Sequence, residues 1–196
     1  LAMRDKKKLE NWAPLDSRTV LSAQPYLDVR IERVALPDGR VVDDFYQVDV
    51  PDFVVIFAEA EDGRVLVIRQ YKHGAKQVSL TFPGGDLNEA EAPLEAARRE
   101  LKEETGHAAR SWLSLGNYAV NGNQGCGWAH YFIAKDCHKV CEPESGDLEE
   151  MEIIALGGDE IFAAAKDGEF KLLPQLALFS LVTHPELLAA VAVEVG

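Results

Sequence analysis

Three glutamates, Glu100, Glu103 and Glu104, lie close enough in sequence to share one face of an α-helix, where residues three and four apart are neighbours. Like charges four apart on a helix cost about 0.2–0.5 kcal/mol per pair. A hard divalent cation with oxygen ligands converts that repulsion into coordination. Lys102 does not share their face. Arg99 is the cation expected to orient one of the carboxylates. Glu95 stands one turn before it, and Glu91 is expected to reach it only through bending or capping geometry. Upstream, Pro83-Gly84-Gly85 carries almost no side chain, which lets backbone carbonyls approach a metal or a phosphate. An ordinary charged surface helix would alternate sign at four-residue spacing. Glu100 and Glu104 do not alternate, and such a helix has no use for the preceding glycines.

These groups need a strand, a tight loop and a helix to hold them, and the flanking sequence supplies each. Gln77 to Phe82 reads as a strand that Pro83-Gly84-Gly85 ends. A helix follows from near Ala92, with Pro93 in its first turn, and stops at Gly106. Before them, Pro25 to Val34 and Arg40 to Val50 read as strands joined by a Pro-Asp-Gly turn. Asp52 to Ala60 and Arg64 to Gln70 read as a second pair around Asp62-Gly63. Ser111 to Val120, Trp128 to Ala134 and Met151 to Leu156 are further strands, the first two separated by a Gly- and Asn-rich loop. Asp159 to Lys166 and Pro174 to Val182 read as helices, and Pro185 to Val193 as a continuation of the second after a break. The result is an α/β chain with a separate N-terminal β region from about Ser22 to Val50.

The composition bounds the function. A chain of 196 residues, 47% hydrophobic and 27% charged, suits one globular domain with a small appendage. No apolar run approaches the roughly 18 residues of a membrane span. Lys6, Lys7 and Lys8 lead into polar sequence, so no secretory leader is expected. A net charge of −13 excludes the basic face of a general nucleic-acid binder. The acid gathers from Asp86 to Glu104 and from Glu142 to Glu152, a pattern of solvated faces or of the two sides of a metal site. Three cysteines, Cys126, Cys137 and Cys141, point to reduced thiols in a cytoplasm. Cys137, His138 and Cys141 lack the fourth ligand of a structural zinc site. Tyr26, Phe45, Tyr46 and Trp128 are aromatic candidates for stacking on a base, a role that competes with simple core burial.

From Gly85 the chain reads GDLNEAEAPLEAARRELKEETGH, with Glu91, Arg99, Glu100, Leu101, Glu103, Glu104 and Gly106 at set intervals. This resembles the Nudix box, which has Gly, Glu and then Arg-Glu-apolar-any-Glu-Glu-any-Gly-apolar at those intervals. Eight matching positions arise by chance on the order of once in a billion starts at average residue usage. The one departure is the terminal apolar position, here His107, read as a tolerated substitution at a helix C-terminus. The resemblance extends over roughly Pro25 to Leu181. It is nearest to the branch that hydrolyses ADP-ribose and nucleoside-diphosphate sugars, through Leu36 to Tyr46, Ile68 to Gly74, Phe82 to Gly85 and Gly146 to Phe170.

The resemblance implies an α/β/α sandwich with a mixed central sheet over residues 51–196 and a small antiparallel β region, residues 1–50, used in dimerisation. It implies a Mg²⁺ enzyme, with Mn²⁺ as a substitute, held by the Gly84 carbonyl, Glu100 and Glu104, with Glu103 serving a further ion. It assigns proton removal from water to a carboxylate before a late strand, Glu149 first, then Asp147, with Glu150 also in that loop. Arg69 and Lys72 fall where the family places cations near phosphate or ribose, Lys72 standing where Arg is more usual. The expected products are a nucleoside monophosphate and a sugar phosphate. A proline common in ADP-ribose enzymes beyond the box is replaced by Val120-Asn121-Gly122-Asn123, which leaves other nucleotide sugars open. The rival readings are a nucleotide-sensing module without turnover and a hydrolase of dinucleoside polyphosphates, NADH or capped RNA.

Overall fold

The computed structural model describes residues 9–144, 146 and 150–196. In chain order the elements are β1 (Ala13–Ala23), β2 (Leu27–Ala35), β3 (Val41–Asp49), β4 (Phe53–Ala60), β5 (Val65–Lys72), β6 (Gln77–Thr81), α1 (Pro93–Thr105), β7 (His107–Ala108), β8 (Ser111–Asn121), β9 (Gly125–Lys139), β10 (Met151–Leu156), α2 (Gly158–Lys166), α3 (Leu173–Thr183), α4 (Pro185–Val191) and β11 (Val193–Val195). They fall into two compact units, the described part of Leu1–Pro51 with Asn121–Gly127, and Asp52–Val120 with Trp128–Gly196.

In the N-terminal unit β1, β2 and β3 form an antiparallel meander, and Val48 of β3 pairs in parallel with Gly125. The turn between β2 and β3 closes through the Gly39 N–H on the Leu36 carbonyl at 2.9 Å, while Asp38 accepts from the Arg40 N–H. Strand β1 extends the region back to Ala13, well before the expected start. All eleven of its residues are exposed, so it has no alternation of buried and solvated positions for a sequence pattern to reveal. Its place comes from the backbone ladder to β2.

The larger unit is built on a mixed sheet. Strand β9 runs parallel to β4, β5 lies antiparallel to β4, and β10 and β6 both lie antiparallel to β5. Successive side chains of β4 point to opposite faces, and both faces are covered. Val54, Ile56 and Ala58 pack with Ala96, Ala97 and Leu101 of α1 on one face. Val55, on the other face, packs with Ile161 and Ala164 of α2 and Leu178 and Phe179 of α3. This is the α/β/α arrangement with a mixed sheet that was expected, and it explains why β4 reads as a continuous apolar run rather than an alternating one. Two ends differ from expectation. Strand β9 continues to Lys139, past Asp136 at φ 53°. Helix α4 stops at Val191, after which Val193 and Val195 pair with β8, since β-branched residues at alternate positions suit a strand.

Candidate active site

Helix α1 is fixed to the sheet by Ala96, Ala97 and Leu101, all fully buried. Pro93 occupies its first turn, and it ends at Gly106 in the left-handed region at φ 71°. A β-carbon on Gly106 would stand 2.2 Å from the Cys141 carbonyl oxygen, so the box's last glycine is required by close backbone packing as well as by conformation. His107, at the departing position, places Nδ1 2.7 Å from the Thr105 carbonyl at the helix end and pairs with Lys139 through β7.

The sheet and α1 bring two carboxylates onto the glycine loop. Glu104, 5% exposed, accepts a hydrogen bond from the Gly84 N–H at 2.7 Å. The Glu100 carboxylate lies against Gly85, where a β-carbon would stand 2.6 Å from it. A side chain at Gly84 would collide with the Val54 carbonyl oxygen at 2.1 Å. The carbonyls on either side of Gly84 are tied to β4, Pro83 by the Ile56 N–H and Gly85 by the Val54 N–H, both at 2.9 Å. Among the described residues no hydrogen bond engages the Gly84 carbonyl itself.

Arg99 ties Glu100 to two further carboxylates, Glu91 and Glu103. Its Nε and Nη2 hold Glu91 as a fork at 2.9 and 2.8 Å, Nη1 donates to Glu100 at 2.5 Å and to Glu103 at 3.1 Å, and Nη2 also donates to the Asp86 carbonyl at 3.0 Å. Glu95 pairs instead with Arg98 at 2.9 Å. Arginine side chains lean toward the helix N-terminus, which carries Arg99 back to Glu91 in the turn before Ala92. The Arg99 guanidinium holds the Glu91 carboxyl at about 2, and these carboxylates in turn raise the guanidinium above its ordinary value. The three box glutamates therefore split. Glu100 and Glu104 flank the loop backbone, and Glu103 turns outward to Arg99 at 43% side-chain exposure. Among the described residues no three His, Cys, Asp or Glu side chains converge on one point.

The loop forms one wall of a cavity of about 600 Å³ that also holds Gln70, Lys72, Asp86 and Lys171. Burial raises the Asp86 carboxyl, and the charge of Lys72 opposes that shift. A second, apolar cavity of about 410 Å³ shares Val120, Leu173 and Pro174 with it and is lined by Tyr118 and Tyr131. Of the two cations expected near phosphate, the fold brings Lys72 to the glycine loop. Arg69 lies on the opposite face of β5, with Glu152 at 3.4 Å and Glu169 at 3.6 Å. Asp147 and Glu149 lie outside the described residues, and Glu150 is exposed. Tyr26, Tyr46 and Trp128 are exposed, and Phe45 packs edge-on against Trp12 at 5.6 Å. None of the four lines either of these cavities. Sequence reasoning missed Gln70, Lys171, Tyr118 and Tyr131, which carry no local spacing signal and meet only through the fold.

Residues 50–175 match the NUDIX domain family model, and the chain belongs to the Nudix family of hydrolases. It is 26% identical over 144 residues to the ADP-ribose pyrophosphatase of Bacillus subtilis, covering 71% of this chain and 76% of that protein. It is also 26% identical over 140 residues to the methanol dehydrogenase activator of Bacillus methanolicus, covering 71% and 75%. Its fold matches the crystal structure of an ADP compounds hydrolase with a TM-score of 0.76 at 23% identity, over 94% of this chain and 97% of that one. Nudix hydrolases generally use divalent metal ions. The donor set here fits such an ion, because two carboxylates one helical turn apart lie on a backbone segment that any side chain at Gly84 or Gly85 would fill.

Proposed function

We propose that the protein hydrolyses the diphosphate linkage of ADP-ribose or a related nucleotide sugar, releasing a nucleoside monophosphate and a sugar phosphate. The observation that carries this reading is the clamp of Glu100 and Glu104 on Gly84-Gly85 at the lip of the 600 Å³ cavity. Mg²⁺, or Mn²⁺ in its place, would be held by the Gly84 carbonyl, Glu100 and Glu104, with Glu103 available to a further ion, and would supply charge neutralisation and a more acidic bound water. Arg99 keeps Glu100 and Glu103 oriented, with Glu91 anchoring its other edge. Lys72 and Lys171 supply positive charge for phosphate within the cavity, as point charges rather than forks. Glu149, with Asp147 as the alternative, takes the proton from the attacking water. The apolar cavity beside Tyr118 suits a flat ring.

The N-terminal meander is our candidate for a dimer contact, since β1 presents an exposed edge with Leu15 and Leu21 about half exposed. No described helix is long and apolar enough to cross a membrane. The three free cysteines suit a reducing cytoplasm.

The test is a panel of ADP-ribose, ADP-glucose, GDP-mannose, NADH, diadenosine polyphosphates and capped RNA, incubated with Mg²⁺ and in parallel with EDTA. Metal-dependent release of AMP from ADP-ribose or ADP-glucose is expected. Turnover confined to capped RNA or the polyphosphates would overturn the substrate class. No turnover of any member, with measurable nucleotide binding, would favour a sensing module.

A further inference from the structure

In the wall of the 600 Å³ cavity one buried polar atom has no hydrogen bond among the described residues. Gln70, on β5, is 4% exposed and points to the same side of the strand as Lys72, two residues on. Its Nε2 donates to Thr81 Oγ1 at 2.9 Å, and that hydroxyl donates onward to the Ile68 carbonyl at 3.3 Å. With the Thr81 hydroxyl donating to Ile68, its oxygen accepts from the Gln70 amide nitrogen, and Oε1 is the end turned away from Thr81. Gln70 Oε1 is buried and has no hydrogen-bond partner among the described residues. Buried acceptors in folded proteins are almost always paired. The contrast within the same cavity is Gln175, also buried, whose Oε1 accepts the Phe82 N–H at 2.7 Å. The two other buried atoms without a hydrogen bond among the described residues, Asp28 Oδ1 and His130 Nε2, belong to residues that do not line this cavity, and His130 Nε2 has Asp52 at 3.6 Å.

We propose that Gln70 is a specificity-determining residue whose Oε1 accepts a hydrogen bond from an O–H or N–H group of the substrate. This rests on the nucleotide-sugar reading above. Phosphate oxygens are acceptors at neutral pH and cannot satisfy Oε1, so the group that reaches it is a sugar hydroxyl or the exocyclic amino group of a base. Lys72, two residues along the strand, takes the phosphate charge, while Gln70 reads the uncharged part beside it. Sites built to hydrogen-bond a substrate group reject analogues that lack it, because their own buried polar atom is then left unpaired.

The test separates this proposal from the activity it rests on. Binding of ADP-ribose, its hypoxanthine counterpart and its 2-deoxy-sugar counterpart would be measured by calorimetry in EDTA, for the wild type and for Gln70→Met and Gln70→Glu. The wild type should bind one of the two analogues about tenfold more weakly than ADP-ribose, the effect of one neutral hydrogen bond. The analogue affected identifies the source as base or sugar. Gln70→Met, with melting temperature confirming its fold, should bind all three alike. Gln70→Glu, which keeps an acceptor at this point but gives up the donor to Thr81, should retain the wild-type preference with its fold likewise confirmed by melting temperature. Equal binding of all three by the wild type, or the same preference in Gln70→Met, would overturn the proposal while leaving hydrolysis of ADP-ribose in Mg²⁺ untouched. Failure of the wild type to bind or cleave any of the three would overturn the substrate reading and the proposal together.

Discussion

Arg99 and Glu91 form the ion pair on which the carboxylate cluster rests, and it makes a pH prediction. The Glu91 carboxyl sits at about 2, against an ordinary value of 4.5, chiefly because Arg99 hydrogen-bonds its charged form. A group held below its unfolded value contributes stability that is complete above that value and is lost as the pH falls through the folded one. Denaturant unfolding between pH 4.5 and 2 should therefore show the wild type losing stability more steeply than Glu91→Gln. Identical slopes would show that the pair contributes nothing. The glutamates were legible from spacing alone, because helical periodicity needs no tertiary knowledge to place Glu100 and Glu104 together. The Arg99–Glu91 fork was not, since it depends on how the chain turns before Ala92 and on the backward lean of the arginine. Gln70 lay inside a stretch already singled out for Arg69 and Lys72, yet its free oxygen is a property of burial, which spacing does not encode.

The strand–loop–helix element from β6 to α1 positions the site, and its two glycines should fail in different ways. Alanine at Gly85 meets the far end of the Glu100 side chain at 2.6 Å, a group that can swing aside. Gly85→Ala should keep its melting temperature within about 3 °C of the wild type, roughly 1 kcal/mol for a chain this size, while losing at least about tenfold in kcat. Alanine at Gly84 meets the backbone oxygen of Val54 at 2.1 Å, which cannot move without β4. Gly84→Ala should lose about 2–3 kcal/mol, a fall of about 4–12 °C in melting temperature. The reverse order of stabilities would contradict the geometry. At this scale the sequence was most readable where burial imposes a pattern, as in β4, β5 and α1. It was least readable in β1, where every residue is exposed, and in β11, a three-residue strand whose partner lies about 80 positions earlier in the chain.

Across the whole molecule, a chain of net charge −13 would need locally concentrated positive charge to take the anionic substrate proposed for it, and Lys72 and Lys171 line the cavity. Sedimentation equilibrium should give twice the chain mass of 21.6 kDa, and Leu21→Glu, placing charge on the exposed β1 edge, should return it toward that mass. A wild type that sediments as a monomer would remove the N-terminal meander from the assembly. The family and its fold were legible from the box and from the alternation of strands and helices. The cavity was not, because it is assembled from β5, the loop at Gly84 and the start of α3, which no single stretch of sequence brings together. ADP-ribose turnover in Mg²⁺, compared between the wild type and Glu104→Gln, asks whether diphosphate hydrolysis depends on the carboxylates clamped on Gly84-Gly85. That variant keeps an oxygen for the Gly84 N–H while removing the charge and turning the second oxygen into an NH2 donor. AMP and ribose 5-phosphate are expected from the wild type, with a fall of more than about a hundredfold in kcat for a folded Glu104→Gln. Turnover near the wild-type rate in that variant would rule out a catalytic role for the clamp.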